Sequence, residues 1–339
     1  MANVSIVIPT YNRIARLKQV IAAIEQQTYP LDKVEVIIVS DGSTDGTHEY
    51  LANIQTPLNL RFVPQENAGP AAARNNGFRN AHSEYVLFID DDVVPSQQLV
   101  TEHMRWHARR PNLVVLGPML NPPDFTHTPW VAWEQAMLEK QYAAMRRGDW
   151  EATARQFYTG NTSLPRQVLI ESGGFDERFR RAEDIELAYR LEKQHVEFCF
   201  TMDAVGYHYA DRSFASWLQI PYVYGRYEIV FGREGQTHLL AFVHEQFKQR
   251  NPLIHLIVGI CLDRPRLSSL VQVLTKQIAD IGYRMGGPGK RIAQAAYSAI
   301  FNLRYYQGVA DELGGRRAFY GGASSSALSK TASSSLDTE

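Results

Sequence analysis

A run of apolar residues that ends in three consecutive carboxylates constrains the fold of this chain most. Tyr85–Ile89 has five apolar residues without polar alternation, and Asp90, Asp91 and Asp92 follow directly. Such a run predicts a strand buried on both faces inside a sheet covered by helices. Ligands bind at the carboxyl ends of strands in open α/β sheets. Adjacent carboxylates repel one another unless a cation compensates them, which favours a divalent metal site over the alternative, a solvated acidic turn.

Strand and helix patterns alternate before this run. The strand patterns cover residues 4–8, 34–39, 60–63 and 85–89, and the helical patterns cover residues 16–27, 47–54 and 71–80. This alternation predicts an α/β fold with a doubly wound, mostly parallel sheet. The loops at residues 9–12, 40–45 and 67–74 each follow a strand. We therefore expect them at the same edge of the sheet as the three carboxylates.

Several classes of protein are disfavoured. The loop after the first strand, residues 9–13, contains no glycine, which argues against a dinucleotide-binding fingerprint and against a phosphate-binding P-loop. Only two cysteines occur, Cys199 and Cys261, and both lie in apolar runs, so no disulfide framework or zinc site is expected. The formal net charge of -1 gives no argument for a nucleic-acid partner.

The charge is unevenly distributed. Residues 1–212 carry 21 Lys and Arg against 27 Asp and Glu, whereas residues 213–320 carry 13 against 7. We predict a first domain at 1–212, a helical region at 213–320 and a disordered tail at 321–339 that is rich in serine. The basic, apolar helical region suits either the acidic domain or an anionic membrane surface.

We expect a cytoplasmic protein, either free or peripheral to the inner face of the membrane. No basic and apolar leader pattern precedes Val4, so no signal peptide is predicted. The most apolar later run, residues 253–262, falls short of the roughly twenty residues of a membrane span.

Six motifs, in their order and approximate spacing, give the chain a resemblance over about residues 4–209. The motifs are Val7-Ile8-Pro9-Thr10-Tyr11-Asn12, Val39-Ser40-Asp41-Gly42-Ser43-Thr44-Asp45, Asn67-Ala68-Gly69-Pro70 with Arg74-Asn75, Phe88-Ile89-Asp90-Asp91-Asp92, Gly173-Gly174-Phe175-Asp176 and Glu183-Asp184-Ile185-Glu186-Leu187. Together they resemble the family 2 glycosyltransferases of GT-A fold. The resemblance implies an inverting, metal-dependent enzyme that moves one sugar from a nucleotide-diphospho-sugar, expected to be a UDP-sugar, to an acceptor hydroxyl.

The resemblance also implies roles for individual residues. Asp41 would accept a hydrogen bond from the uracil N–H, and Asp90 and Asp91 would hold the ribose and the diphosphate. Asp92 and His208 would bind Mn²⁺ or Mg²⁺. The other residues expected to contact the nucleotide sugar are Pro9, Thr10, Tyr11, Asn12, Asn67, Gly69 and Arg74. For Arg74, a diphosphate contact and a structural role both stay open.

Asp184 matches the general base of the family, which takes the proton of the acceptor hydroxyl. The residues expected on the acceptor side are Asn161, Phe175 and Glu183. Glu183 is expected to cap the helix or to orient neighbouring groups and not to act as the base. The acids at 183–184 also suit the positive end of a helix, which is the structural alternative for both. The acceptor stays open, and we expect a glycan, a lipid-linked sugar, a peptide or a small molecule.

Two other functions are open. A nucleotidyltransferase would make a nucleotide sugar, but it is expected to carry a glycine-rich and basic first loop, which is absent at residues 9–13. A non-catalytic nucleotide-sugar-binding protein would have lost Asp92 or Asp184, and both are present. The Gln-x-x-Arg-Trp motif of processive family members is also absent, which favours transfer of a single sugar.

Overall fold

The computed structural model describes residues 3–321. These residues form two compact units, one made of residues up to 126 together with 135–210, and one made of residues 127–134 and those from 211 onward. The tail predicted at 321–339 lies outside the described residues, except for Gly321, which ends the last helix.

The first unit is built mainly of short strands and the helices that connect them. Its strands are β1 Val4–Thr10, β2 Val34–Asp41, β3 Asn59–Gln65, β4 Tyr85–Ile89, β5 Val93–Pro95, β6 Leu113–Leu116, β7 Met119–Leu120, β8 Asn161–Pro165, β9 Glu197–Phe200 and β10 Gly206–His208. Its helices are α1 Ile14–Ile24, α2 Thr47–Asn53, α3 Pro70–Arg79, α4 Leu99–Arg109, α5 Pro129–Arg147 (whose first residues belong to the second unit), α6 Arg166–Glu171 and α7 Glu183–Lys193.

Seven strands form the central sheet in the order β3-β2-β1-β4-β8-β6-β9. The first four are parallel, β8 is antiparallel to both β4 and β6, and β6 is parallel to β9. The predicted mostly parallel sheet is therefore confirmed. Because β1, β2 and β4 point the same way, their carboxyl ends and the loops that follow them meet at one edge.

The apolar strands lie in the middle of this sheet because helices pack against them and bury their side chains. Every residue of β4 is buried, and α1 packs its apolar face, including Leu17 and Ile24, against the strands. α3 approaches the sheet so closely that a Cβ at Gly77 would lie 2.2 Å from Val7 Cγ1. Only glycine fits there without displacing the strand.

A second sheet of three strands, in the order β5-β10-β7, lies next to the acidic cluster in sequence. β5 begins at Val93, directly after Asp92, and pairs antiparallel with β10 so that Val93 is opposite His208. The Tyr209 N–H donates to the Asp92 carbonyl oxygen at 2.9 Å. Strand pairing therefore brings His208 to the acidic cluster from 116 residues further along the chain.

The second unit is mainly helical and includes the start of α5. It contains α8 Phe214–Arg233, α9 His238–Lys248, α10 Pro252–Cys261, α11 Pro265–Met285, α12 Gly287–Leu313 and α13 Arg316–Gly321. α8 and α12 touch through their backbones, since a Cβ at Gly308 would lie 1.9 Å from the Tyr222 carbonyl oxygen. In the part of the chain that is described, none of the helices has both the length and the apolar character needed to cross a bilayer.

One strand differs from its predicted position. The sequence pattern predicts a strand over residues 157–164, whereas β8 covers Asn161–Pro165. Residues 157–160 are irregular and follow a 3₁₀ turn at Ala154–Gln156, which is closed by a capping box in which Thr153 and Gln156 exchange side-chain and backbone hydrogen bonds. The ladder therefore begins four residues later than the pattern predicts.

Candidate active site

The three carboxylates after β4 have different partners. Asp91 accepts a hydrogen bond from Thr10 Oγ1 at 2.7 Å. Arg13 Nη1 forms ion pairs with Asp91, at 3.5 Å, and with Asp92. Asp90 accepts from Arg74 Nη2 at 2.8 Å. Two arginines therefore supply positive charge to the acidic cluster.

The raised pKa of Asp91 indicates that the acidic cluster favours added positive charge. Burial and then the charge of Asp92 raise the pKa of Asp91 to about 7, although Arg13 and the Thr10 hydroxyl act in the opposite direction. Like charges held close together in a poorly solvated place disfavour ionisation. A ligand that carries positive charge would relieve this repulsion.

Asp92 and His208 form the pair that fits a cation best. His208 Nε2 lies 3.6 Å from Asp92 Oδ1, and both side chains are almost fully buried. Two ligand atoms at about 2.1 Å from one ion lie about 3 Å apart, close to this separation. Within residues 3–321 no group of three or more His, Cys, Asp or Glu side chains is arranged to hold a metal. The pair would therefore supply only two of the six or more ligands that a divalent cation such as Mg²⁺ takes.

Gln135 of α5 contacts the other side of the imidazole. Its Nε2 lies 3.0 Å from His208 Nδ1, and the residue is 1% exposed. Its Oε1 is buried and has no hydrogen-bond partner among the described residues. Rotating the carboxamide by half a turn would place Oε1 beside Nδ1, so that Nδ1 carries the proton and Nε2 presents its lone pair towards Asp92. Gln135 is thus placed to decide which tautomer His208 adopts.

Arg74 of α3 joins the acidic cluster to the start of α7. It is 6% exposed, its Nη1 donates to Glu183 Oε1 at 2.6 Å, and its Nη2 donates to Asp90. Burial lowers the pKa of Arg74, but the charges of Asp90 and Glu183 outweigh it and hold the pKa above its ordinary value. Because both ends of the guanidinium are occupied by carboxylates, the geometry favours the structural alternative for Arg74 over a diphosphate contact.

Asp184 follows Glu183 in the first turn of α7. Its Oδ1 accepts from the Ile185 N–H at 2.8 Å, and the side chain is partly exposed. Burial and the neighbouring Glu183 charge raise the pKa of Asp184 to about 7, whereas Arg74 and the Ile185 N–H act to lower it. A carboxylate with a pKa near neutrality accepts protons efficiently, as a general base requires.

Side-chain hydrogen bonds join the loop after β1 to the loop after β2. Asn12 has a left-handed backbone with φ 53°, which asparagine tolerates. Its Oδ1 accepts from the Thr44 N–H at 2.7 Å, and its N–H donates to Ser43 Oγ at 3.1 Å. Tyr11, just before it, is 51% exposed. Pro9 and Thr10 end β1, so this loop holds Tyr11 at the edge of the sheet.

Asp41 organises the third loop. Its Oδ1 accepts from Gln65 Nε2 at 2.7 Å and from the Ala68 N–H at 2.8 Å, and its Oδ2 accepts from the Gly69 N–H at 2.9 Å. Asn67 Nδ2 donates to the Asp41 carbonyl oxygen at 2.9 Å. Gly69 has φ 94°, which requires glycine. A carboxylate oxygen accepts two hydrogen bonds, so Oδ2 has capacity for one more donor.

Two residues expected on the acceptor side lie inside the protein instead. Asn161 is fully buried, and its Nδ2 donates to the carbonyl oxygens of Pro118 and Ala204 while its Oδ1 lies 2.9 Å from His103 Nε2. Phe175 is buried and packs edge-on against Phe88. Both side chains are used by contacts within the fold, and their place on the acceptor side stays a prediction. Glu183 is also buried and is used by Arg74.

Sequence reasoning missed two residues of this site. Arg13 follows Asn12 directly, and a cationic residue next to a predicted ligand-binding loop could have indicated that it belongs to the site. Gln135 lies in the middle of a helix with no motif around it, and nothing in the sequence pairs it with His208. Among the predicted residues, the structure brings together Thr10, Asp90, Asp91, Asp92 and His208 around the cluster, and Arg74, Glu183 and Asp184 at the start of α7.

Solved structures with similar folds exist. A mannosyltransferase, PcManGT from Pyrobaculum calidifontis, in complex with GDP-Man and Mn²⁺, matches 88% of this chain and 85% of its own with a TM-score of 0.59 and 22% identity. Residues 1–349 of TarS from S. aureus, in complex with UDP, match 90% of each chain with a TM-score of 0.52 and 19% identity. These similarities confirm the predicted GT-A fold class with its helical C-terminal region.

Sequence comparison gives the family. Validoxylamine A glucosyltransferase from Streptomyces hygroscopicus subsp. jinggangensis is 32% identical over 231 residues, which is 60% of this chain and 54% of that protein. The chain thus spans about half the length of the first curated relatives that it matches. The model of the family described as "Glycosyl transferase family 2" matches residues 5–175, half of the chain. The chain therefore belongs to glycosyl transferase family 2.

Proposed function

We propose that the protein is an inverting, metal-dependent glycosyltransferase. It moves one sugar from a nucleotide-diphospho-sugar, with a UDP-sugar as the first candidate, to the hydroxyl of an acceptor. Asp184 is the general base, and the cluster of Asp90, Asp91 and Asp92 is the site for the diphosphate and its cation.

The main support for this proposal is the pair of ion pairs made by Arg74. The buried guanidinium of Arg74 bonds Asp90 at the end of β4 and Glu183 at the start of α7, next to Asp184. The side chain proposed as the base is thereby held at a fixed position relative to the acidic cluster. A transferase needs this arrangement, since an acceptor oxygen must meet the anomeric carbon while the diphosphate departs.

The proposed step forms one bond to the anomeric carbon of the donor and breaks another. Asp184 takes the proton of the acceptor hydroxyl while that oxygen forms a bond to the anomeric carbon of the donor. The bond from the anomeric carbon to the diphosphate breaks, and its electron pair stays on the diphosphate oxygen. Because the new bond forms opposite the departing group, the configuration at the anomeric carbon inverts.

The nucleotide would be bound by the loops after β1, β2 and β3. Tyr11 presents a half-exposed ring, and Asp41 Oδ2 has capacity for one further donor, such as the N–H of a uracil. The PcManGT structure contains GDP-Man and a TarS structure contains UDP, so proteins of similar fold bind guanine nucleotides and uracil nucleotides. A buried carboxylate oxygen selects a nucleobase that offers an N–H, which uracil, guanine and thymine all do. Uracil is the first candidate because the family resemblance implies a uracil contact at Asp41.

The cation would be held by Asp92 and His208. Bound there, Mn²⁺ or Mg²⁺ would supply positive charge that stabilises the departing diphosphate. A mixed imidazole and carboxylate pair suits Mn²⁺ better than Mg²⁺, which prefers oxygen ligands. Arg13 contacts both Asp91 and Asp92 through an exposed side chain, so it can move from the carboxylates to the phosphates without loss of buried packing.

The proposal defines the acceptor by its reactive group, a hydroxyl, and not by its identity. The step requires a hydroxyl, and glycans, lipid-linked sugars and small molecules all provide one. The relative from Streptomyces hygroscopicus is named for the glucosylation of validoxylamine A, a small molecule. The absence of the processive motif favours transfer of a single sugar.

We expect Gln135→Leu to weaken Mn²⁺ binding by about 10- to 100-fold, as changes behind a ligating histidine do. Leucine cannot accept the Nδ1 proton, so the tautomer with a free Nε2 loses its support. Gln135→Glu keeps the acceptor and should preserve or raise the affinity. Titration of Mn²⁺ in the presence of UDP, followed by electron paramagnetic resonance, measures this. Equal affinity in native protein and in Gln135→Leu would show that Gln135 does not position His208.

Calorimetric titration of UDP, GDP and dTDP, each with and without Mn²⁺, tests the proposed function. We expect UDP to bind in a Mn²⁺-dependent manner and more tightly than GDP or dTDP. UDP-sugars are then incubated with a panel of acceptors, and release of UDP is measured. Tight binding without turnover on any acceptor would favour the non-catalytic binding protein, and failure of all three nucleotides to bind would contradict the proposal.

A further inference from the structure

Helix α11 directs its large apolar residues towards solvent. Their exposed fractions run from 50% at Leu274 to 72% at Met285. Their spacing of three or four residues places them on one face of the helix. We call this face the α11 stripe; its members are Leu270, Val273, Leu274, Ile278, Ile281 and Met285.

The opposite face of α11 has the reverse composition. Its buried residues are Ser268, Gln272, Ala279 and Gly282, all small or polar. The approach to α12 is close, since a Cβ at Gly282 would lie 2.7 Å from the Gly289 carbonyl oxygen. A surface helix of a soluble protein normally buries its large apolar residues. α11 instead packs inward through small residues and leaves its apolar face uncovered by the second unit.

Helices α10 and α12, which contact α11, also expose apolar side chains. On α10, Leu253 and Leu256 are each 58% exposed, and Ile260 is also exposed. On α12, Ile292 is exposed. Monomeric proteins rarely leave several large apolar residues uncovered on adjacent elements unless the surface binds something.

The exposed charged side chains on α11 and at the start of α12 are all positive. Arg266 and Arg284 of α11 are exposed, as are Lys290 and Arg291 at the start of α12. The only acid on α11 is Asp280, which pairs with Lys276 at 2.6 Å and accepts from the Tyr297 hydroxyl at 2.7 Å. An apolar face bordered by cations, with its one acid already paired, complements an anionic surface.

We propose that the α11 stripe docks on an anionic lipid surface. The apolar side chains enter the boundary between headgroups and acyl chains, and the exposed cations contact lipid phosphates. A second copy of the chain fits less well, because a two-fold contact through this face would bring the same cations together without acids to offset them. The inference does not depend on the proposed function, since it concerns binding alone.

Flotation of the full chain with vesicles tests the proposal. We expect binding to vesicles made of equal parts phosphatidylcholine and phosphatidylglycerol at low salt, and much less binding to phosphatidylcholine alone. The double variant Leu274→Glu with Ile278→Glu should lose at least about tenfold in binding. Ile170→Glu on α6, which changes an exposed apolar residue of the first unit, is the matched control and should bind as the native protein does.

A second variant tests insertion without disrupting the stripe. Ile278→Trp should show a blue shift of its added fluorescence on the mixed vesicles, because the ring leaves water. Three results would overturn the proposal: no flotation of the native protein, no blue shift in Ile278→Trp, or a native dimer that the double glutamate variant converts to a monomer. The last result would assign the stripe to contact between two copies.

Discussion

Asp184→Asn is expected to lower kcat for sugar transfer by about 10²- to 10⁴-fold, the usual contribution of a general base. Asparagine keeps the shape of the side chain and can still approach the Ile185 N–H, but it cannot take the proton of the acceptor. Donor affinity should stay near the native value, because Asp184 is not among the residues proposed to bind the nucleotide. Steady-state kinetics with a UDP-sugar and calorimetry with UDP measure the two effects separately.

Glu186→Gln provides the matched control. Glu186 lies in the same first turn of α7, but its two carboxylate oxygens accept from Arg190 Nε and Nη2, each at 2.6 Å. We expect the transfer rate of this variant to stay near the native rate. A loss of donor affinity as large as the loss of rate in Asp184→Asn would argue against the assignment of the base.

The dependence of the rate on pH gives a second measure of Asp184. Burial and the charge of Glu183 raise its pKa to about 7, with Asp90 adding to them and Arg74 opposing. Below that pH the side chain is protonated in the folded protein and cannot act as a base. We therefore expect kcat/KM to fall by about tenfold for each pH unit below 7 in the native protein. In Asp184→Asn the residual rate should not follow this slope.

Asp92→Ala is expected to weaken Mn²⁺-dependent binding of UDP by at least about 100-fold, more than changes to residues behind a metal ligand do. The substitution removes one of the two side chains that fit a cation and leaves His208 alone. Binding of UDP without Mn²⁺ should change little. Calorimetric titration of UDP into native and variant protein, with and without Mn²⁺, separates the two contributions.

Asp203→Ala is the control for Asp92→Ala. Asp203 is an exposed carboxylate of the same unit that pairs with Arg105 at 3.1 Å, so its loss changes the net charge equally without touching the cluster. Circular dichroism of both variants is the check that they are folded. Retention of full Mn²⁺-dependent affinity in Asp92→Ala would place the cation elsewhere.

The sequence predicts the central part of the fold well, because local patterns determine it. Tyr85–Ile89 is a fully buried strand, and the three carboxylates follow it as expected. The loops after β1, β2 and β3 are held together by Asn12 and Asp41, whose roles as loop residues follow from short polar side chains beside strand ends. The strand and the positions of these loop residues follow from local sequence, whereas the hydrogen bonds of Asn12 and Asp41 reach residues 27 to 32 positions away.

Long-range contacts account for what the sequence does not predict. Asn161 is predicted on the acceptor side, yet its hydrogen bonds go to Pro118, Ala204 and His103, which only the folded chain brings near it. Gln135 meets His208 across 73 residues. The outward direction of the α11 stripe also depends on tertiary packing, since the helical pattern alone favours burying Leu274 over Ser268.

The ion-paired side chain of Arg74 has a consequence for how this chain can change over evolutionary time. Removing one member of a buried charge network leaves the others uncompensated and costs about 3–5 kcal/mol, a large share of the stability of a typical domain. A lineage could therefore replace Arg74, Asp90 or Glu183 only together with a partner. Asp90 at the acidic strand end and Glu183 in the first turn of α7 are 93 residues apart, yet their shared contact with Arg74 leads us to expect that they change together.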